Sequence, residues 1–107
     1  MTDDSTEETA AMIHVRFFGS IKESAGISSV DMELTPDTTL FDFLLTLAEK
    51  YGKELHSEIL DESTSSGLRG DLMLTHNDVI INHEIVTGVI LNPGDSVALL
   101  PTFPGGG

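Results

Sequence analysis

The 107-residue sequence has no cysteine and no tryptophan, and only 5 Lys and Arg residues stand against 18 Asp and Glu. Without a thiol there is no disulfide framework, no thiolate metal site and no cysteine nucleophile. The same absence fits a reducing, cytoplasmic setting. The shortage of bases leaves a formal net charge of -13. It argues against nucleic acid, whose phosphates are met by clustered Lys and Arg, and against an anionic membrane surface. No apolar run approaches the roughly 18 residues of a spanning helix, and the N-terminus is acidic where a secretory signal would be basic. What is there suffices for one small domain. Hydrophobic residues make up 39% of the chain, enough to bury a core of modest stability.

The charge is unevenly spread. Residues 1–11, MTDDSTEETAA, hold four acids, no base and no core anchor beyond the first Met. They are expected to form a disordered acidic tail. The remaining 96 residues still carry a net charge of -9. Their acids are scattered and lack the D-x-D-x-D spacing of a calcium loop. The four histidines, His14, His56, His76 and His83, lack metal-ligand spacing and read as surface or turn residues. Arg69-Gly70-Asp71 matches an adhesion tripeptide and reads as coincidence.

From Met12 the pattern has period two. Ile13, Val15 and Phe17 share one strand face, with His14, Arg16 and Phe18 on the other. A second strand is expected over Ser28–Thr35, with Val30, Met32 and Leu34 inward, joined to the first antiparallel through a hairpin or bulged turn at Gly26. Pro36 ends it. Thr38 or Thr39 then caps a helix whose stripe is Leu40, Leu44, Leu47 and Tyr51, with Gly52 closing it in a left-handed conformation. Leu55, Ile59 and Leu60 suggest a further short helix, and STSSGLRG a mobile loop. Strand character returns at Leu72–Leu74, Val79–Ile81 and, after a turn at Asn82–Glu84, at Ile85 and Val86. The turn Asn92-Pro93-Gly94-Asp95 leads into a last strand, Ser96–Pro101. The fold class is therefore α+β, a mixed four- to five-stranded sheet with one main helix on one face.

After the last strand the chain reads Pro101-Thr102-Phe103-Pro104-Gly105-Gly106-Gly107. Glycine has no Cβ, so such a tail can enter a channel too narrow for any side chain. Seven extended residues span at most about 23 to 25 Å, enough to place the terminal carboxylate inside another protein while the domain docks outside.

The order of these motifs resembles a known family. RFFGSIKESAG, Arg16–Gly26, is similar to the opening signature of the molybdopterin-synthase small subunit (MoaD) and ThiS-like sulfur carriers, an F-(x)3-(R/K)-E-x-(A/T)-G stretch carried here by Phe18, Lys22, Glu23, Ala25 and Gly26. VIINHEIV, the Asn92–Asp95 turn, LLP and the terminal glycines continue the likeness through to the end. The family usually closes on P-P-V and G-G. Thr102 and Phe103 stand where it often has Pro and Val, and aligning Pro101 on its first proline leaves Gly107 as an extra residue.

The resemblance implies a β-grasp, ubiquitin-like domain over residues 12–101 and a flexible glycine-rich tail over 102–107. It implies a carrier with no catalytic residue and no bound cofactor. Gly107 and Gly106 form the activated terminus, and Pro101, Thr102, Phe103, Pro104 and Gly105 thread into the partner. That partner is a ubiquitin-activating-type adenylating enzyme, which uses ATP. The sulfur then passes to a molybdopterin synthase large subunit, for molybdenum or tungsten cofactor, or to a tRNA-thiolating enzyme. Archaeal small modifier proteins of the same fold instead join the glycine to target-protein lysines. A third reading is an interaction domain with an inert tail. Phe18 and Leu100, with Ala98, are the candidate docking patch on the sheet face away from the helix, unless Lys53–Gly70 folds over it.

Overall fold

A computed structural model describes residues 12–102. The expected tail 1–11 and Phe103, Pro104, Gly105, Gly106 and Gly107 lie outside the described residues. Strand β1 (Met12–Phe17) is followed by a short helix α1 (Gly19–Ala25) and strand β2 (Ser29–Glu33). Helices α2 (Leu40–Tyr51) and α3 (Lys53–Ile59) come next, then β3 (Leu72–His76), β4 (Val79–Ile81), a 3-10 helix (His83–Gly88) and β5 (Ser96–Pro101). The five strands form one sheet in the order β2-β1-β5-β3-β4. β1 and β5 run parallel and the other neighbours antiparallel. This mixed sheet, crossed on one face by α2, is the β-grasp arrangement.

The two-residue period of β1 settles the layers. Ile13, Val15 and Phe17 are buried, as are Met32 from β2, Leu72 and Leu74 from β3, and Val97 and Leu99 from β5. Against them α2 lays Leu40, Phe43, Leu44, Leu47 and Ala48, its i, i+3, i+4 stripe. Thr39 caps α2 as expected, its hydroxyl accepting the Asp42 N–H at 3.1 Å. Gly52 does end α2, but at φ 92°, ψ -174°, outside the left-handed helical region. It is a joint that redirects the chain straight into α3, and its positive φ favours glycine. Leu55 and Ile59 from α3 and Leu68 from the following loop complete the core on that side.

Two local expectations change. The β1–β2 connection is no hairpin turn but α1, which buries Ile21 and ends on Gly26 in the left-handed conformation at φ 81°. β1 and β2 still pair antiparallel, Ile13 with Met32 and Val15 with Val30. Ile85 and Val86 lie in the 3-10 helix rather than a strand, because the Asn82 side chain accepts the Glu84 N–H at 2.8 Å and starts a helical turn. The 61–70 loop is held by its own polar side chains: Asp61 accepts from the Ser63 N–H and hydroxyl, and Thr64 donates to the Leu68 carbonyl.

One carboxylate ties the sheet's lower end together. Asp95 accepts from His76 Nε2 at 2.7 Å, from the Asn92 N–H at 2.9 Å and from Asn77 at 3.2 Å. His76, expected at the surface, is thus a partly buried bridge between β3 and the turn before β5. Burial pushes the Asp95 carboxyl up, but the bonds from His76, Asn92 and Asn77 outweigh it and hold the group below its ordinary value. The unfolded chain therefore binds its proton more readily than the folded one. The stabilisation is complete at neutral pH and is lost as pH falls below about 4. Asp95→Asn should lower unfolding stability by about 2 kcal/mol at pH 7. In urea titrations the gap from the unaltered protein should narrow towards pH 3. A gap that stays constant with pH would remove the carboxylate from the account.

Candidate functional site: the root of the C-terminal tail and the open sheet face

β5 is the central strand, flanked by β1 and β3. The chain end is therefore launched from the most constrained element of the sheet. Pro101 pairs with Leu72, and beside it Gly19 sits at φ +57°, where a Cβ would come within 2.8 Å of Pro101 Cγ. Thr102 is joined to the domain by its N–H and its hydroxyl, both donating to the Asp71 carbonyl, at 2.8 and 3.0 Å. Thr102, expected to open the tail, is thus part of its root.

Next to this root lies the sheet face that α2 does not cover. Phe18 follows β1 as the cap residue of α1, its N–H donating to the Leu99 carbonyl at 3.1 Å, and it is 39% exposed. Leu100 is half-buried and pairs with Met73. Ala98, at 3% exposure, is too enclosed to contribute area of its own. It lies in a cross-sheet row between Arg16 and Thr75, and Thr75 in turn pairs with Ile80, which is 66% exposed. The open face is therefore Phe18, Leu100, Met73 and Ile80 around a small central Ala98. Arg16 edges it, with its guanidinium carbon 5.8 Å from the Phe18 ring centre. The Lys53–Gly70 segment does not cover this face. α3 packs on α2, Gly67 lies against Phe41, and Leu55, Ile59 and Leu68 enter the core.

Among the described residues, no group of three metal-ligating side chains converges, and no helix is long and apolar enough to cross a membrane. His14 pairs with Asp31 at 2.7 Å and His83 Nε2 lies 2.6 Å from the Leu72 carbonyl, so both rings serve local structure. Arg69 and Asp71 turn out to be each other's partners, with the guanidinium donating to both carboxylate oxygens at 3.1 and 2.9 Å. The sequence shows these residues only as a tripeptide. Their bidentate pairing, and the use of the Asp71 carbonyl by Thr102, depend on how the loop closes. Gly19 and α1 were also missed. Ile21 and Ala25 stand four apart before Gly26, a spacing and a glycine that fit a short helix.

Comparison with known proteins agrees with this geometry. The ThiS family model matches residues 15–106. A molybdopterin synthase sulfur carrier subunit from Drosophila yakuba is 27% identical over 94 residues, 88% of this chain and 90% of that protein. The solution structure of the small archaeal modifier protein 1 from Methanosarcina acetivorans superposes with a TM-score of 0.73 at 25% identity, covering 90% of this chain and 97% of that one. A chain in the complex of subunits 1 and 2 of the molybdopterin-converting factor from Helicobacter pylori matches with a TM-score of 0.54 at 25% identity, over 89% of this chain and 99% of that one. The family match runs from the first buried strand through the tail's root into the terminal glycines, and the chain belongs to the ThiS family.

Proposed function

We propose that this protein is a cytoplasmic sulfur carrier that holds sulfur as a thiocarboxylate on its terminal glycine, Gly107. The observation that carries the reading is the tail's root: a central strand ends at Pro101 beside an open apolar face, and the glycine run Gly105–Gly107 lies shortly beyond it in the sequence. A carboxylate is a poor electrophile. Attack of the Gly107 carboxylate on the α-phosphorus of ATP, with pyrophosphate leaving, gives an acyl-adenylate whose AMP is a good leaving group. Sulfur supplied at the sulfide level then displaces AMP. The nucleotide belongs to a partner adenylating enzyme, and the carrier supplies no catalytic side chain.

The open face around Phe18 and Leu100 docks the body while the tail enters the partner's site. The similarity to a molybdopterin synthase sulfur carrier subunit, and to a chain found in a complex of molybdopterin-converting factor subunits, supports a synthase large subunit as the recipient, with tRNA thiolation as the other outlet. The likeness to a small archaeal modifier protein supports a second use of the same activated glycine, conjugation to target-protein lysines.

The test is to incubate the protein with ATP, an adenylating enzyme from the same genome and a sulfide source, then to measure intact mass. Exchange of one oxygen for sulfur is the expected result, and lysine-linked adducts would establish the modifier use. Deleting Gly106 and Gly107 should abolish either change. Absence of any ATP-dependent change in the unaltered chain would sink the proposal.

A further inference from the structure

β2 is an edge strand, with β1 as its one neighbour in the sheet. The Phe17 N–H donates to the Ser28 carbonyl at 2.9 Å, one step beyond the pairing of Arg16 with Ser29. Bonded and non-bonded positions alternate along an antiparallel pair. Val30 and Met32 therefore direct their backbone groups to Val15 and Ile13, while those of Ser29, Asp31 and Glu33 face outward. Among the described residues, no loop or turn backbone group pairs with these outward N–H and carbonyl groups.

Between this edge and α2 runs a groove of about 470 Å³. Half-buried Val30 and buried Met32 line it from the strand, Met12 from β1, and Thr46 and Lys50 from α2. The Lys50 ammonium lies 5.9 Å from the Tyr51 ring centre, and its stem adds methylene surface to that wall. An unpaired strand edge beside an apolar groove suits strand addition. Main-chain bonds then hold an extended segment, and its alternate side chains enter the groove.

The charge on the strand says what that segment must carry. Asp31 and Glu33 alternate with Val30 and Met32, and so share the opposite face of β2. Both are exposed, and Asp31, which meets His14, keeps 63% of its side chain in solvent. A second copy laid antiparallel along the whole edge would set Asp31 opposite its own counterpart. Like charges directly opposite destabilise a pair, and each copy carries a net charge of -13. The acids thus turn away the chain's own kind. Lysine or arginine opposite them would instead form favourable cross-strand pairs.

We infer that β2 receives an extended segment of a partner protein as a sixth strand, with basic residues opposite Asp31 and Glu33 and apolar residues over Val30 and Met32. This surface is separate from the Phe18 face. Phe18 follows the end of β1, whereas Glu33 pairs with Met12 at its start.

The probe is a peptide of four Lys-Val repeats. A block peptide, four lysines followed by four valines, has the same charge and composition but cannot alternate across the strand. Hydrogen exchange of the full chain, followed amide by amide by NMR, reads the contact. In the free protein the amides of Ser29, Asp31 and Glu33 should exchange faster than those of Val30 and Met32. At a peptide concentration ten times its dissociation constant they should slow about 10-fold. Asp31→Lys combined with Glu33→Lys should weaken the Lys-Val peptide about 10-fold and favour a Glu-Val peptide instead. Glu33→Lys alone serves if the double variant does not fold. No binding, equal binding of the block peptide, or slowing that spares these amides overturns the proposal and leaves the acids as edge protection alone. Protection of the same amides that rises with protein concentration, without peptide, overturns it in favour of a second copy. None of these readings depends on adenylation, so the carrier function is tested separately.

Discussion

Phe18→Asp should weaken docking to the adenylating enzyme by on the order of 100-fold while the domain stays folded. The size follows from position. Phe18 is the largest apolar side chain on the open face, it stands beside the strand that launches the tail, and buried aromatic anchors dominate interfaces of this kind. A carboxylate in its place would have to be desolvated unpaired in the complex. Survival of the fold follows from the backbone. The bonds that fix this residue, from its N–H to Leu99 and from the Lys22 N–H to its carbonyl, do not involve the ring. Helix α1 has no side-chain cap at residue 18, and Asp is among the best residues at that position. Inside the monomer the substitution removes the contact with Arg16, 5.8 Å from the ring centre, about 0.5–1 kcal/mol at an exposed site, and the partial burial of a ring that is 39% exposed. Calorimetric titration against the enzyme and a thermal melt of the free variant measure the two halves. Unchanged affinity would take the open face out of the docking account.

Gly19→Val should destabilise the protein by about 2–4 kcal/mol, a large share of the stability of a domain this small. Two penalties combine. A β-branched residue at φ +57° is forced into a region that L-residues avoid. Its Cβ would also lie 2.8 Å from Pro101 Cγ and 3.2 Å from Cδ, on a ring with little freedom to yield. Relief has to come from moving Pro101, and with it the root of the tail, so tail activation should drop beyond what stability explains. Gly19→Asn separates the two penalties: Asn tolerates positive φ but still meets the proline. Equilibrium unfolding in urea reads the stability, and equal values for Val and Gly would show that the Pro101 contact gives way freely.

Period-two alternation over residues 13–17 and the stripe from Leu40 to Tyr51 located β1 and α2, because both elements bury one face and their periods appear in the order of apolar residues. The turn residues Asn92–Asp95 located the start of β5 for the same local reason. α1 was hidden because a strand signature, RFF, runs directly into it. The seven-residue helix buries little beyond Ile21, and its fit depends on β5 and α3. Ile85 and Val86 read as strand because a short apolar pair has no period, and the Asn82 cap decides the matter through one side-chain bond.

The terminal glycine run, the two flanking prolines and the order of weak motifs were fully legible in the sequence, since they depend on residue identity alone. By itself the sequence determined an acidic α+β domain without a thiol, with a glycine run at residues 105–107. Only the tertiary structure decided that Thr102 is part of the domain. Arg69, Asp71 and Thr102 are separated by up to 33 positions and become one hydrogen-bonded cluster because β3 and β5 pair antiparallel. Gly19 reaches Pro101 because α1 packs at the end of β5. Contacts of that range are set by strand pairing and loop closure, which no local pattern encodes.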